Sequence, residues 1–303
     1  MIRSRLPQGS LHLLLCAMLS GCYTHLRDHN QEPPADAADA LERIVENIVY
    51  TEESWPQPLR ADLYLPRERG PHPVVLMIHG GGWANRSRDD MVGVSRKLVR
   101  HGYAVMNVSY RFAPRFTYPA QLQDLQQALK WISQNAERFN LDTDRVNTRG
   151  YSSGAHLAAL VASIDSVGPQ AGDRDSPPRV RAVVAGGVPP DLRKYSSSPI
   201  VMRFMGGDRD EMPDRYAQAS PVYHVSADDP PVLLYLGELD FLVTDDQATD
   251  YYEALKERGV ETELYLHNWR GHMTMFLFGD DAENKAIDFL KRKNSRTLTV
   301  TQQ

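Results

Sequence analysis

Cysteine is scarce in this 303-residue sequence. Only Cys16 and Cys22 are present, and both lie within the first 22 residues. The rest of the chain therefore provides no thiol for a disulfide framework and no thiolate set for a structural metal ion. We expect neither a metal ion nor another cofactor.

Long apolar runs and clusters of one charge are lacking as well. The amino-terminal apolar segment, from Leu11 to Leu19, is too short to cross a bilayer as a helix, which needs about 20 residues. Basic residues are spread along the chain, and the formal net charge is -5. We therefore expect no nucleic-acid partner, because surfaces that bind nucleic acids are typically basic.

The first 22 residues, MIRSRLPQGSLHLLLCAMLSGC, combine a basic start with this apolar segment, which is the layout of a secretory leader. The closing LSGC resembles the bacterial lipoprotein signal, in which the cysteine is acylated and becomes the mature amino terminus. The resemblance implies a signal peptide over residues 1–21, a lipid on Cys22 and a polar tether over residues 22–43. Tyr23 stands where Asp would retain such a protein at the inner membrane, which implies an outer-membrane anchor facing the periplasm of a bacterial cell envelope. An ordinary secretory signal and a buried start of the domain are the alternatives.

Short β-like runs alternate with longer helix-like runs over residues 44–293, which indicates one α/β domain with a mainly parallel sheet. Strands are predicted over 61–66, 73–79, 103–110, 144–150, 180–187, 231–238 and 261–268. Helices are predicted over 88–101, 153–164, 244–258 and 281–293, and after Pro119, where apolar residues recur at spacings of three and four. Several strands are apolar with little alternation, so helices are expected on both faces of the sheet. Residues 294–303 are a predicted polar tail, in which TLTV could add an edge strand.

Two glycines flank Ser152 symmetrically in the stretch VNTRGYSSGAHLAALVA, between a strand-like run and a helix-like run. The pattern Gly-x-Ser-x-Gly marks a tight strand-to-helix turn that exposes a nucleophilic serine. A serine at a helix amino-terminal cap is the alternative, because serine is favoured there. Ser153 is a neighbouring hydroxyl, but the glycines are centred on Ser152.

A second glycine cluster, HGGGW, follows the apolar strand PVVLMIH. Glycines at the carboxyl end of a strand allow backbone N–H groups to approach a developing oxyanion closely. We predict an oxyanion hole formed by the amides of Gly81, Gly82 and Ser153. A phosphate loop is the alternative, but neither G-x-G-x-x-G nor G-K-[ST] is present at this position.

Two further side chains complete a serine hydrolase set in the order Ser, Asp, His. Asp240 lies just past a predicted strand, and His272 lies in the loop after the next one. His272 would take the proton from Ser152 Oγ, while Asp240 would hold the imidazole tautomer. Asp245 and Asp246 compete for the role of the acid, although both suit the first turn of the next helix.

With these residues the sequence resembles the α/β-hydrolases. It is most similar to the carboxylesterase group that includes hormone-sensitive-lipase-like esterases, feruloyl-esterase-like bacterial proteins and kynurenine-formamidase-like enzymes. The resemblance covers about residues 59–292 and is carried by HGGGW, SYRFAPRFTYPAQLQDLQQALKWISQNAERFNLDTDRV, GYSSGAHLAAL, ASPVYHVSADDPPVLLYLGELDFLV and RGHMTMF. Tyr151, Ser153 and Ala155 replace the Glu, Ala and Gly usual in the hormone-sensitive-lipase form, so the elbow is closer to the formamidase and feruloyl-esterase side.

The resemblance implies the α/β-hydrolase fold and the activity of a serine esterase. The expected partner is a small-molecule ester with a short acyl, aryl or carbohydrate group, cleaved through an acyl-enzyme. An arylformamidase-like amide hydrolase is one alternative. A non-catalytic binding lipoprotein on a hydrolase scaffold is another, although that class would be expected to lack a triad member.

Histidines and aromatic residues near these motifs have other interpretations. His79 and His156 are interpreted as structural, and nothing argues for catalysis by His267. Three aromatic residues could line an acyl or aryl pocket or belong to the core: Trp83, Phe112 and Trp269. Residues 165–178 and 188–220 are predicted insertions at the loop ends of strands, where ligands bind in open α/β sheets.

Overall fold

The computed structural model describes residues 42–164, 176–195 and 197–295. The predicted signal peptide, Cys22, most of the predicted tether, residues 165–175 and the end of the predicted tail lie outside these residues. Within them, eight strands form one sheet in the order β1-β2-β4-β3-β5-β6-β7-β8. The strands are β1 Glu42–Val49, β2 Arg60–Pro66, β3 His72–Ile78, β4 Ala104–Val108, β5 Leu141–Tyr151, β6 Val180–Gly186, β7 Val232–Gly237 and β8 Thr262–His267. The pairs β1–β2 and β2–β4 are antiparallel, and every other pair is parallel.

Successive side chains of the central strands pack into two separate apolar cores. In β3, Val74, Leu76 and Ile78 join one apolar cluster, whereas Val75 and Met77 join the other. This follows from the two-residue period of a strand. The predicted mainly parallel sheet with helices on both faces is confirmed.

The helices divide between these two faces. They are α1 Val92–Val99, α2 Ala120–Gln134, α3 Ala136–Phe139, α4 Ser153–Ile164, α5 Pro199–Met205, α6 Pro213–Gln218, α7 Asp245–Glu257, α8 His272–Phe278 and α9 Asp280–Asn294. Helices α2, α4 and α7 pack on the face of Leu76, and α1, α8 and α9 pack on the face of Met77. The predicted helix over 88–101 is divided, because a 3-10 turn at Arg88–Met91 precedes α1.

Strand β1 was not predicted from the sequence. It begins at Glu42, two residues before the predicted start of the domain, and it lies at the edge of the sheet. Its register with β2 shifts between Val45 and Ile48. Asn47 lies in this bulge with φ 58°, and its amide donates to Asp62 Oδ1 at 2.8 Å. The bulge interrupts the alternation that would have identified the strand.

The carboxyl ends of β3, β5, β6, β7 and β8 meet at one edge of the sheet, since these strands are parallel. The insertion of residues 188–220 follows β6 at this edge, as predicted, and contains α5, α6 and a 3-10 turn at Leu192–Lys194. Residues 176–178, the described end of the other predicted insertion, lie before the amino end of β6 instead. That end of the sheet is opposite to the predicted catalytic residues.

A buried ion pair ties the loop after β4 to helix α2. Asp124 has a fully buried side chain, and its oxygens accept hydrogen bonds from Arg111 N, Arg111 Nε and Trp55 Nε1 at 2.7 to 2.8 Å. Arg111 also donates to the Ala120 carbonyl at 2.8 Å. The segment that follows β4 is thus held against α2 by charge-assisted hydrogen bonds.

We expect Asp124→Ala to lower the free energy of unfolding by about 3–5 kcal/mol, because it leaves the Arg111 guanidinium buried without its counter-charge. Chemical denaturation monitored by circular dichroism measures this change. Glu52→Ala is the matched control, since it removes an exposed pair with Lys130 at 3.3 Å and should cost less than about 1 kcal/mol. Equal losses in the two variants would contradict this assignment.

Candidate active site

Ser152 lies on a strained turn between the end of β5 and the start of α4. Its φ is 55°, in the left-handed region that non-glycine residues rarely adopt. The Ser152 amide donates to the Gly186 carbonyl at 2.7 Å, and its carbonyl accepts from the His156 amide at 3.0 Å. Such strain costs on the order of 1–3 kcal/mol and persists only where the surrounding structure holds it.

The two glycines beside Ser152 are required by close packing. A Cβ on Gly150 would lie 2.3 Å from the carbonyl carbon and oxygen of Gly154. A Cβ on Gly154 would lie 2.3 Å from the Ile78 carbonyl oxygen and 2.5 Å from that of His79. Helix α4 therefore starts directly against β5 and the end of β3, at a distance that no larger residue permits.

The structure brings Asp240 and His272 together in a buried pair. His272 Nδ1 lies 2.6 Å from Asp240 Oδ2. Asp240 Oδ1 accepts hydrogen bonds from the amides of Leu242 and Val243 at 2.9 and 2.8 Å, and its side chain is fully buried. Because a carboxylate only accepts, Nδ1 carries the imidazole proton, and Nε2 is left as the basic nitrogen.

The backbone joins the two loops that carry this pair. The Leu239 amide donates to the Arg270 carbonyl at 2.9 Å, and a Cβ on Gly237 would lie 2.1 Å from the same carbonyl oxygen. His272 is the first residue of α8, where the Gly271 amide donates to Thr274 Oγ1 at 2.9 Å. The competing acids are placed elsewhere: Asp245 and Asp246 are exposed in the first turn of α7, and Asp246 pairs with Lys194 at 2.9 Å.

The glycine loop after β3 packs against the elbow. A Cβ on Gly80 would lie 3.4 Å from Ser152 Cβ. Gly81 and Gly82 have φ of 117° and 60°, and the Asn85 amide donates back to the Gly81 carbonyl at 3.0 Å. This turn places the predicted oxyanion-hole glycines beside Ser152.

A cavity of about 250 Å³ opens at this edge of the sheet. Its walls include Ser152, His272, Gly81 and Gly82, so it contains most of the residues predicted as the site. The remaining lining residues are both apolar and charged: Gly80, Asn85, Arg86, Asp90, Tyr151, Ile200, Arg203, Leu242, Met273 and Phe276. The cavity is smaller than the 300–1,000 Å³, roughly, of typical drug-sized ligand pockets.

Tyr151 and Gly187 support His272 and were not predicted to do so. Tyr151 Oη donates to the His272 carbonyl at 2.7 Å, and the two rings lie 5.1 Å apart. Burial, together with Tyr235 and Asp240, raises the pKa of Tyr151, so its hydroxyl stays a neutral donor. A Cβ on Gly187 would lie 3.0 Å from His272 Cε1. The glycine pair at the carboxyl end of β6 is the sequence signal that could have located this contact.

The expectation that His79 and His156 are structural is confirmed. His79 is fully buried, its Nδ1 lies 2.7 Å from the Gly80 carbonyl oxygen, and its ring stacks on Tyr110 at 4.5 Å. His156 is fully buried, with Nε2 2.7 Å from the Ala219 carbonyl oxygen. Trp83 Nε1 donates to His156 Nδ1 at 3.2 Å, so Nε2 carries the proton and the ring is neutral.

The three candidate pocket aromatics lie outside the cavity wall. Trp83 is a core residue, stacked on Phe204 at 4.4 Å. Phe112 packs edge-on against His79 at 5.8 Å. Trp269 is 85% exposed and belongs to a set of exposed apolar residues, the apolar rim, on the loop after β7, the loop after β8 and helix α8. The other exposed members of this rim are Leu239, Phe241, Leu242, Met273, Leu277 and Phe278.

Comparison with known proteins identifies the family. The family described as BD-FAE matches residues 61–255. The chain belongs to this family. It is 29% identical over 208 residues to the esterase LipQ of Mycobacterium tuberculosis, covering 66% of this chain and 49% of LipQ. It is 31% identical over 218 residues to a versiconal hemiacetal acetate esterase of Dothistroma septosporum, covering 66% of this chain and 65% of that protein.

A solved structure shares the fold. A truncated carbohydrate esterase from gut microbiota superposes with a TM-score of 0.75 at 23% identity, covering 84% of this chain and 97% of that one. The predicted α/β-hydrolase fold is thereby confirmed. The chain spans about half the length of the first curated relatives it matches, and the catalytic roles of individual residues stay predictions.

Neither a metal cluster nor a membrane span occurs in the described part of the chain. Residues 42–164, 176–195 and 197–295 contain no group of three or more His, Cys, Asp or Glu side chains placed to hold a metal ion. Over the same residues, no helix has the length and apolar character needed to cross a bilayer.

The burial of His156 makes the free energy of unfolding depend on pH. Desolvation lowers its pKa to about 4, from 6.5. As the pH falls below 6.5, His156 becomes protonated in the unfolded chain but stays neutral in the folded protein. The free energy of unfolding therefore falls. The loss reaches on the order of 3 kcal/mol by pH 4.

We expect the His156 ring signals in an NMR titration to stay unchanged down to about pH 5, with His156→Gln used to assign them. The same variant should show a shallower fall of unfolding free energy between pH 6.5 and 4. A His156 midpoint near 6.5 would contradict the buried neutral assignment.

Proposed function

We propose that this protein is a serine carboxylesterase that hydrolyses small carboxylic esters through an acyl-enzyme. One observation carries the proposal. His272, whose Nδ1 lies 2.6 Å from buried Asp240, lines the same cavity as Ser152, which lies on a left-handed turn. Both curated relatives described above are named as esterases, which supports the same reaction class.

In the proposed reaction, Ser152 Oγ attacks the ester carbonyl carbon while His272 Nε2 takes the hydroxyl proton. The carbonyl oxygen becomes an oxyanion, stabilised by the amides of Gly81, Gly82 and Ser153. Collapse of this intermediate breaks the bond to the alcohol, which leaves with the proton from His272. Water then attacks the acyl-serine, His272 takes its proton, and the acid leaves as Ser152 is restored.

The proposed roles of Asp240 and Tyr151 are to keep His272 in position. Asp240 fixes the tautomer with Nδ1 protonated and stabilises the imidazolium that forms during each half-reaction. Tyr151 holds the main chain of His272 through its bond to the carbonyl oxygen. Both act through His272 and do not contact the substrate carbonyl in this scheme.

We propose short-chain, aryl or carbohydrate esters as substrates. A cavity of about 250 Å³ suits a small acyl group. The apolar rim, with Phe241 89% exposed and Trp269 85% exposed, offers a surface for an aryl or alkyl portion outside the cavity. The names of two similar proteins, an acetate esterase and a carbohydrate esterase, agree with this range.

A nitrophenyl ester series tests this function. We expect wild-type protein to cleave p-nitrophenyl acetate and butyrate faster than the octanoate and decanoate, because the cavity is small. Ser152→Ala should lower kcat/KM by at least about 10³-fold without changing the unfolding midpoint. Ser295→Ala, at the exposed end of α9, is the control for removing a hydroxyl elsewhere.

Covalent labelling makes the same test independent of substrate choice. A fluorophosphonate should form one adduct, which mass spectrometry places on Ser152 in the wild type and does not find in Ser152→Ala. N-formyl aromatic amines are included in the substrate series. Faster cleavage of these amides than of any ester would replace the proposal with an arylformamidase, and a folded protein without adduct or turnover would refute catalysis.

We also propose that the protein is lipid-anchored in the bacterial envelope through Cys22, facing the periplasm from the outer membrane. The basic start, the short apolar segment and LSGC support this location. We expect metabolic labelling with a palmitate analogue to modify the wild type and not Cys22→Ala, which should fractionate away from membranes. Cys16→Ala is the matched control. Unlabelled wild-type protein would contradict the anchor.

A further inference from the structure

Helix α5, in the insertion of residues 188–220, presents two side chains to the cavity. Ile200 and Arg203 are three residues apart and therefore lie on the same face of the helix. A Cβ on Gly82 would lie 2.9 Å from Ile200 Cγ2, so this face packs directly against the oxyanion loop. Arg203 thus projects from the wall that faces the predicted site of ester attack.

The Arg203 side chain is exposed, and no described residue pairs with its guanidinium. Among residues 42–164, 176–195 and 197–295, it forms no ion pair, hydrogen bond or cation–π contact. Two other arginines of the same insertion are satisfied by carboxylates: Arg193 pairs with Asp191 at 2.8 Å, and Arg209 pairs with Asp210 at 2.7 Å. Arg203 therefore keeps its planar set of N–H donors available.

The cavity wall contains two arginines, Arg86 and Arg203, and one carboxylate, Asp90. Arg86 also lies against the oxyanion loop, because a Cβ on Gly81 would be 3.1 Å from Arg86 Cβ. Arg86 is compensated by Asp90 at 3.4 Å. Among the described residues, Arg203 is then the arginine of the wall without a carboxylate partner, in a chain whose formal net charge is -5. The remaining wall is apolar where Leu242, Met273 and Phe276 line it.

We propose that Arg203 is a specificity-determining residue that binds a carboxylate on the substrate, so that the preferred esters are those of carboxylate-bearing molecules. The planar guanidinium matches a carboxylate through two parallel N–H···O bonds. The apolar wall holds the neutral part of the same substrate. This assignment rests on the proposed esterase function and names the substrate class within it.

Matched pairs of esters test this assignment. The first pair, 4-acetoxybenzoate and 4-acetoxybenzamide, places the charge or its neutral isostere on the alcohol side. The second, the mono-p-nitrophenyl esters of glutaric acid and of glutaramic acid, places it on the acyl side. The carboxylate preference is the ratio of kcat/KM values within a pair. We expect a ratio of about ten or more for at least one pair.

Three substitutions separate charge from shape. Arg203→Gln should bring the ratio to about one, and Arg203→Glu should bring it below one, because a like charge then faces the carboxylate. Arg203→Lys should keep part of the preference, since it retains the charge without the planar fork. Arg209→Gln is the matched control: it removes the same charge from the same insertion outside the cavity wall, and the ratio should be unchanged.

A binding measurement separates failure of this assignment from failure of the proposed function. Calorimetric titration of Ser152→Ala with each benzoate and benzamide ester needs no turnover, and the benzoate should bind more tightly only when Arg203 is present. Ratios near one for both pairs, or a preference that survives Arg203→Gln, would overturn the assignment even if neutral esters are cleaved. Absence of ester cleavage with Arg203-dependent binding of the benzoate would overturn the function and leave the carboxylate site standing.

Discussion

The close approach of helix α4 to strands β3 and β5 is the constraint on which the site depends. A Cβ on Gly150 or on Gly154 would lie 2.3 Å from backbone atoms, so the helix cannot start this close to the strands with larger residues at these positions. Ser152, between them, is forced into a left-handed conformation at φ 55°. The strain is offset by the packing of an almost fully buried helix, in which every residue from Ser153 to Ser163 is buried.

The rest of the site is arranged around this fixed serine by the parallel sheet. Because β3, β5, β6, β7 and β8 end at the same edge, loops that are far apart in the sequence converge there. Each loop is then held by a specific backbone contact: the Gly186 carbonyl accepts from Ser152, and the Arg270 carbonyl accepts from Leu239. The Asp240–His272 pair is buried in this frame, where a carboxylate with two amide donors and one imidazole donor is fully satisfied.

The sequence predicted correctly those elements whose residues form a recognisable pattern within one short stretch. The predicted helix over 153–164 has the observed bounds of α4, because a glycine turn and an apolar run are both readable in one short stretch. The positions of Ser152, Asp240 and His272 predicted that all three lie at one edge of the sheet, because each follows a strand. Strand β1 was not predicted because its bulge at Asn47 breaks the two-residue alternation of apolar residues. Helices α5 and α6 were not predicted because, with seven and six residues, they are too short to show a helical periodicity.

Contacts between distant segments account for what sequence alone could not provide. Tyr151 reaches the His272 carbonyl across 121 positions, and Trp83 reaches His156 across 73. Trp83 was a candidate for the pocket, yet its indole is used to join the oxyanion loop to α4. A side chain's partner depends on the packed fold, so an aromatic next to a catalytic motif does not reveal from sequence which way it points.

His156 connects the chemistry of the site to the insertion that shapes it. Its ring accepts from Trp83, beside the oxyanion loop, and donates to the Ala219 carbonyl at the far end of residues 188–220. The same insertion returns to the loop through Ile200 at Gly82. The insertion is therefore fixed at two points against the elements that carry Gly81, Gly82 and Ser152. Side chains on α5 are thereby held in fixed positions in the cavity wall that contains Ser152 and His272. We expect a change on that helix to alter this wall while the Asp240–His272 pair is left in place.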